Sequence, residues 1–542
     1  MMTESFALGS RSQRVFSVPE LAIRVLDFSA TQDCARLLRT CRSLHKPAIP
    51  YVWHDVDDVR HLLLLLGEAF ENPLGGSKTT EPRDVWLVDT IKSNNAFTRF
   101  DVYAPHVKTL DVYGSRREHF KIVGWKVLIA RARKQALLPN LHTLVTRTSC
   151  GSHGPDQLMW VEAFNSPSLI NVLITPDKPG MAPTISYEAA SAIMRTIEPQ
   201  VSNLRNIGLF PDYRVGDHSH DGESTFLALL SGDPFYMYIR GASSLQHLSG
   251  SLGWMNEEPI LILGQLPCLE TITISVFDNF GLDFNFELPE DSFPSLHGLY
   301  LHGLYTSNAV QILRLKPLLK GLKSLELHMD MDEPEPEHMD YDEWLAEIFF
   351  PRLVDAPHVE KLKIDVDDDD SFPLDPYVIN RPSLIILSHL PLGFLRLGNL
   401  VLNSEALQLN LNEIWPSLTQ LEIPAQPVSL AGLPKFVAIP CLQHLEIQLD
   451  LQREAVAEPY GLGESSLISL VASKGGKVCS KFADVDYVTR ALLSIAPHLT
   501  CITWPTPGED ASKKEVRQYE CAEILNGYLS SLREINTLRS ML

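Results

Sequence analysis

Hydrophobic residues recur along this chain in a short repeat motif that begins with proline and ends in alternation. The motif reads P-x-[LV]-x-x-[LIV]-x-[LIV], and the sequence contains seven full copies, against about one expected for randomly scattered aliphatic residues. Alternation places the last two aliphatic side chains on one face of a short strand. The proline keeps a preceding helix from running into that strand. The residues directly before the prolines of the seven copies are Ala104, Ser166, Leu266, Phe293, Ala356, Trp415 and Ile439.

Amphipathic stretches with helical spacing lie between the copies, at residues 125–138, 189–197, 309–319, 341–350 and 485–495. Each repeat is therefore predicted to be one strand plus one helix, and stacking would bury the aliphatic residues that a lone repeat leaves exposed. The pattern resembles a leucine-rich-repeat solenoid, although the asparagine or cysteine typical of that family after the strand is mostly missing. An open α/β domain with a parallel sheet is the alternative.

The first 66 residues lack the repeat motif and show helical spacing instead. Ser17 and Glu20 have the spacing of a capping box, with Pro19 in the first helical turn. A second helix is predicted to start near residue 31 and to end at Pro47 and Pro50. A bundle this small is marginally stable, and burial of such a unit is often completed by a partner.

This segment resembles an F-box, in particular F-box chains from higher fungi. The resemblance rests on residues 18–21 (VPEL), residues 37–44 (LLRTCRSL) and Trp53. It implies docking on a Skp-type adaptor and, through it, on a cullin ubiquitin ligase, with the repeats choosing a protein substrate. Packing inside the bundle is the alternative role for each aliphatic residue. The adaptor-binding residues that the resemblance implies are Val18, Pro19, Leu21, Val25, Leu37, Leu38, Cys41 and Trp53.

The net charge of the chain disfavours two classes of partner. Lys and Arg total 46 and Asp and Glu total 67, so the formal net charge is −21, which disfavours nucleic acid and anionic membrane surfaces. No apolar run approaches the ~20 residues of a membrane span, and the N-terminus lacks the pattern of a secretory signal. The eight cysteines form no C-x-x-C pair. A cytoplasmic or nuclear protein is expected.

Candidate chemistry is sparse. The sequence contains no nucleophile elbow, zinc-protease motif, P-loop or dinucleotide fingerprint, so we expect no catalytic residues, no metal site and no cofactor. Acidic runs at residues 330–343 and 365–370 are predicted to be solvated loops between repeats, because the second run lacks the glycine of a calcium loop. An enzyme is the least favoured of three hypotheses.

The predicted fold class is α/β, with a small helical F-box bundle followed by an irregular leucine-rich-repeat solenoid. The predicted domains are a disordered N-terminus at residues 1–14, the F-box-like bundle at 15–66, a linker at 67–83, and the solenoid with a helical C-terminal cap at 84–542. The predicted function is substrate recognition for a Skp–cullin–F-box ubiquitin ligase. The alternative is a leucine-rich-repeat scaffold without a ligase role.

Overall fold

The chain folds into two compact units in the structure, which is a computed structural model. Unit 1 comprises residues 1–254 and 258–269, and unit 2 comprises residues 255–257 and 270–542. The residues that the structure describes are 18–40, 42–67, 70–73, 84–87, 94–114, 121–148, 155–176, 185–211, 234–276, 286–330, 341–367, 376–452, 465–478, 482–506 and 513–541.

Unit 1 contains a ladder of parallel strands. In its described part the ladder order is β1-β4-β6-β7-β8-β9, which follows chain order, while β2, β3 and β5 form a small separate sheet. The strands are β1 (Asp55–Val56), β2 (Phe70–Pro73), β3 (Asp84–Leu87), β4 (Thr109–Asp111), β5 (Lys121–Val123), β6 (Thr143–Thr148), β7 (Asn171–Pro176), β8 (Asn206–Leu209) and β9 (His247–Gly250).

Unit 2 contains a second run of parallel strands in chain order, β10-β11-β12-β13-β15-β17-β18-β19-β20, while β14 pairs separately with β16. The strands are β10 (Thr271–Ser275), β11 (Gly298–Tyr305), β12 (Ser324–Asp330), β13 (Lys361–Asp367), β14 (Tyr377–Ile379), β15 (Phe394–Gly398), β16 (Leu400–Leu402), β17 (Gln420–Ser429), β18 (His444–Asp450), β19 (Ser469–Ala472) and β20 (Cys501–Thr503).

The strand order decides between the two predicted architectures. A doubly wound α/β sheet reverses direction at a switch point, whereas the ladder order follows the sequence in each unit. Six of the seven copies of the repeat motif end inside ladder strands, and the first copy ends one residue after β4. The α/β class and the stacked-repeat architecture are therefore confirmed.

Alternation along most ladder strands separates a core face from an outward face. In β12, Leu325, Leu327 and Met329 are buried, while Glu326 and His328 point to the other side of the sheet. Full burial of one such aliphatic side chain contributes about 1.5–3 kcal/mol before chain entropy is subtracted. The repeated aliphatic pair is thus the main source of stability in each ladder.

The segments between ladder strands vary more than a regular repeat would. Several turns are 3-10 helices, such as Phe235–Gly241, and Leu345–Phe349 is a π-helix. The described α-helices that follow the four N-terminal helices are Phe100–Tyr103, Trp125–Ala132, Pro155–Phe164, Tyr187–Ile197, Glu257–Gly264, Thr306–Leu313, Lys316–Leu319, Tyr341–Trp344, Arg381–Ser388, Leu411–Ile414, Leu433–Val437, Phe482–Ile495 and Lys513–Met541.

The N-terminal bundle consists of helices Pro19–Asp27, Thr31–Thr40 and Arg42–Trp53, followed by the short helix Arg60–Leu63. Pro19 lies in the first turn, as predicted, but the N-cap Val18 makes no side-chain capping bond. The prediction that Pro47 and Pro50 end the second helix is wrong, since both lie inside the third. Burial of neighbouring residues in that helix, Leu44 and Ala48 among them, overrides the helix-breaking tendency of proline.

Two strands lie in segments for which no strand was predicted. The first ladder strand, β1, lies inside the segment 15–66 that was predicted to be helical, and β2 lies inside the predicted linker. A strand of two residues is too short to show alternation in a sequence. Residues 1–14 fall outside the described residues.

The C-terminal helix Lys513–Met541 covers the last strand of the unit 2 ladder. The side chain of Asn526 accepts a hydrogen bond from the backbone N–H of Ile502 at 2.9 Å and donates one to its carbonyl at 2.8 Å. These bonds satisfy backbone groups that an open sheet edge would leave exposed. The helix thus covers the edge of the ladder at β20. In the described part of the chain, no helix has the length and apolar character needed to cross a bilayer.

Candidate functional site

Helix Pro19–Asp27 carries more apolar surface than its own bundle covers. Ala22 and Leu26 are buried on one side, and the helical arc next to them is also apolar but exposed. We call Val18, Leu21, Val25 and Phe28 the apolar stripe; these residues follow i, i+3, i+7 and i+10 spacing on one side of the helix. Their exposed fractions are 40%, 47%, 37% and 85%.

The bundle behind the stripe is packed and hydrogen-bonded. Leu26, Cys34 and Ala48 form its buried cluster, which Leu37 and Leu38 contact while partly exposed. The Tyr51 hydroxyl lies 2.6 Å from an Asp27 carboxylate oxygen, and this hydrogen bond raises the pKa of Tyr51. The stripe therefore lies on a helix that is held in place from its other side.

The residues implied by the F-box resemblance fall into three groups. Val18, Leu21 and Val25 belong to the exposed stripe, whereas Leu37 and Leu38 divide their surface between the bundle and solvent. Trp53 is half-buried, and its ring centroid lies 4.9 Å from that of Tyr103. Pro19 begins the helix, and Cys41 lies outside the described residues. Adaptor contact by these residues stays a prediction.

The second candidate surface is a row of charged side chains on the outward face of the unit 2 ladder. We call it the charged row. Its members occupy matching positions on five neighbouring strands, β12, β13, β15, β17 and β18, which parallel pairing places side by side. The row consists of Glu326, Lys363, Arg396, Glu422 and Glu446.

Short ion pairs link the members of this row. Lys363 Nζ lies 2.8 Å from Glu326 Oε1, and Arg396 Nη1 lies 2.8 Å from Glu422 Oε2. The two cations are neighbours, and Asp365 separates them, with one oxygen 3.2 Å from Lys363 Nζ and the other 3.0 Å from Arg396 Nε. All these groups are partly buried, so water screens the attraction less than at an open surface.

Asp365 corrects the prediction for the second acidic run. The run was predicted to be a solvated loop, but Asp365 is buried and lies in strand β13. A glycine on the neighbouring strand makes room for it, since a Cβ atom at Gly398 would lie 1.9 Å from Asp365 Oδ1. The strand extends to Asp367 because it pairs with β12 along that length.

Two histidines and a carboxylate beside the row have the composition of a metal site. The potential ligand atoms of His302, Glu326 and His328 lie within 4.8 Å of one another. However, Lys363 Nζ lies 2.7 Å from His328 Nε2 and 2.8 Å from Glu326 Oε1. The ammonium group therefore occupies the position between two of these atoms that a cation would take, and the cluster is built around lysine.

The pKa values near Lys363 follow from this arrangement. Burial lowers the pKa of His302, and the neighbouring His328 and Lys363 lower it further. Burial raises the pKa of Glu326, but the hydrogen bond and positive charge of Lys363 outweigh that effect, so its pKa lies below the usual value. Neutral His302 and ionised Glu326 are thus the favoured forms at neutral pH.

No residue of the charged row was singled out from the sequence, although a signal was present. Lys363, Glu422 and Glu446 occupy the seventh position of their repeat motifs, between the two alternating aliphatic residues. That position must point outward on a strand. Reading the seventh position across all copies would have nominated part of the row.

Comparison with known proteins identifies no family for this chain. No family model matches the chain, and no curated protein matches it. Among solved structures, an internalin from Listeria monocytogenes is 13% identical, with 60% of this chain and 88% of that one covered and a TM-score of 0.28. A TLR13–ssRNA13 complex is 14% identical, with 75% of this chain and 53% of that one covered and a TM-score of 0.29.

Both neighbours are leucine-rich-repeat proteins. Their TM-scores are too low to support an argument, and the chain spans about half the length of the second. The repeat fold assigned above therefore rests on the strand ladders themselves.

Proposed function

We propose that this protein is a substrate-recognition subunit of a Skp–cullin–F-box ubiquitin ligase. In this proposal the apolar stripe contacts a Skp-type adaptor, and the outward face of the repeats holds a protein substrate. The chain performs no bond chemistry itself. Tethering raises the concentration of substrate lysines near the loaded ubiquitin carrier.

The exposed stripe is the observation that carries the proposal. Four aliphatic and aromatic side chains on one side of a helix stay 37–85% exposed, although the other side of that helix is packed. Burying each half-exposed side chain against a partner is worth roughly 1 kcal/mol. The sequence resemblance to an F-box supplies the identity of the partner, and the cytoplasm or nucleus is the compartment that the proposal requires.

The alternative is a repeat scaffold without a ligase role. In that case the N-terminal helices would serve only as a cap, and a cap needs no apolar residues on its outer side. The exposure of Leu21 and Phe28 therefore favours the ligase proposal.

Co-expression with a Skp-type adaptor and size-exclusion chromatography tests the proposal. We expect the wild-type chain to co-elute with the adaptor and Leu21→Asp to lose co-elution. Ile385→Asp is the matched control, because Ile385 is a similarly exposed aliphatic residue on helix Arg381–Ser388, and it should still co-elute. A folded wild-type chain that fails to co-elute, or equal losses in the two variants, would overturn the proposal.

A further inference from the structure

An open groove lies in unit 2 beside strands β17 and β18 and at the ends of strands β19 and β20. Its volume is about 490 Å³, within the range of sites that bind small ligands or short peptide segments. It lies beside the end of the charged row, since Glu446 belongs to both. Its lining includes Pro424, Glu446, Val471, Ser473, Trp504 and Pro505.

The walls of the groove are largely apolar and are held in place. Pro424, Val471, Trp504 and Pro505 supply ring and aliphatic surface. The Ser473 hydroxyl donates a hydrogen bond to the Pro424 carbonyl, which joins two sides of the groove. Trp504 is half-buried, so part of its indole remains open to a ligand.

The Glu446 carboxylate at the groove is incompletely balanced by the guanidinium nearest to it. Arg396 Nη1 lies 3.7 Å from Glu446 Oε2, while the same guanidinium makes its shorter contacts with Asp365 and Glu422. One guanidinium thus serves three carboxylates. Burial raises the pKa of Glu446 and the neighbouring Glu422 raises it further, whereas Arg396 and His444 lower it.

The cations of this ion-pair network do not offset the deficit. Glu326, Asp365, Glu422 and Glu446 face Lys363 and Arg396, so carboxylates outnumber cations by four to two. Lys474 also lines the groove, but it is exposed to solvent. An additional positive charge would therefore be stabilised beside Glu446.

We propose that this groove receives a lysine or arginine side chain of a bound protein partner, with its charged end at Glu446 and its aliphatic stem against Trp504. An indole face attracts cations as well as apolar groups, so the walls and the carboxylate favour the same ligand. The proposal deepens the proposed function and rests on one part of it, the binding of a protein by the repeats. It does not depend on the adaptor.

Fluorine NMR on the full-length chain tests this proposal. The protein is labelled with 5-fluorotryptophan at its eight tryptophans, and Trp504→Phe identifies the resonance of Trp504. The probe is the peptide acetyl-Leu-Arg-Leu-amide, and the same peptide with citrulline in place of arginine keeps the shape but removes the charge. We expect the arginine peptide to shift the Trp504 resonance saturably, with a Kd of about 1–10 mM.

Glu446→Gln should weaken binding of the arginine peptide about five- to tenfold, since a partly buried ion pair is lost. Glu405→Gln, which changes an exposed carboxylate elsewhere in unit 2, is the matched control and should bind as the wild type does. A Trp504 resonance that does not move, or a citrulline peptide that binds as tightly as the arginine peptide, would overturn the proposal. Because no adaptor is present, either result leaves the ligase proposal untouched.

Discussion

The N-terminal helix and the ladder strands of unit 2 use regularly spaced aliphatic residues to opposite effect. In β18, Leu445, Ile447 and Leu449 are fully buried, whereas Leu21 and Val25 on helix Pro19–Asp27 are 47% and 37% exposed. Strand β18 has a paired strand on each side, but the N-terminal bundle is too small to surround its own first helix. The same hydrophobic pattern therefore makes a core in one region and a free surface in the other.

The largest predicted difference in the free energy of unfolding comes from truncating one aliphatic residue in each region. Leu445→Ala should lower the free energy of unfolding of unit 2 by about 2–5 kcal/mol, because a buried side chain is replaced by a cavity. Leu21→Ala should cost less than about 1 kcal/mol. Urea titrations followed by circular dichroism measure both values. Equal losses in the two variants would show that the stripe is buried in solution.

The outward face of the same strands is stabilised by ion pairs and not by buried aliphatic side chains. Lys363→Met should lower stability by about 1–3 kcal/mol, since Glu326 and Asp365 lose a partly buried partner. The variant should also bind one zinc ion. His328 Nε2 and Glu326 Oε1 lie 3.2 Å apart, close to the spacing of two ligands in a tetrahedral zinc site with bonds of about 2.0–2.1 Å.

Isothermal titration calorimetry with zinc chloride at pH 7 measures this gain. The double variant with Lys363→Met and His328→Gln is the control, and it should lose the binding. If the wild-type protein binds zinc as tightly as Lys363→Met does, the cluster is a metal site and the lysine-centred description is wrong.

The smallest predicted effect concerns Glu446 and pH. Because its pKa is raised in the folded protein, Glu446 favours folding below the pKa of the unfolded chain, and this contribution is lost as pH rises through the folded pKa. Glu446→Gln removes the ionisable group, so the variant should be equally stable or slightly more stable than the wild type at pH 7, by tenths of a kcal/mol.

Urea midpoints at pH 7 and pH 4 measure this difference, which should shrink or reverse at the lower pH. A Gln variant that is clearly less stable at pH 7 would mean that the ion pair with Arg396 outweighs the burial of Glu446. If Glu446→Gln raises the free energy of unfolding, the carboxylate lowers stability in the wild type. That result would also agree with a binding role for Glu446.

The sequence predicted some strands and helices of this fold and missed others. The seven copies of the repeat motif predicted seven of the ladder strands, because proline and alternation act within a few residues. They did not predict β1, which is two residues long, or the third N-terminal helix with Pro47 and Pro50 inside it. Those elements depend on packing and pairing with distant parts of the chain.

The amino-acid sequence alone determines the period of the repeats, the apolar spacing of the first helix and the acidic net charge, since each is a local pattern or a sum. Only the tertiary structure decides that Lys363 lies between His328 and Glu326, that Asp365 separates two cations, and that Glu446 and Trp504 line one groove. The reason is physical: strand register brings together residues from different repeats, and register depends on the whole ladder.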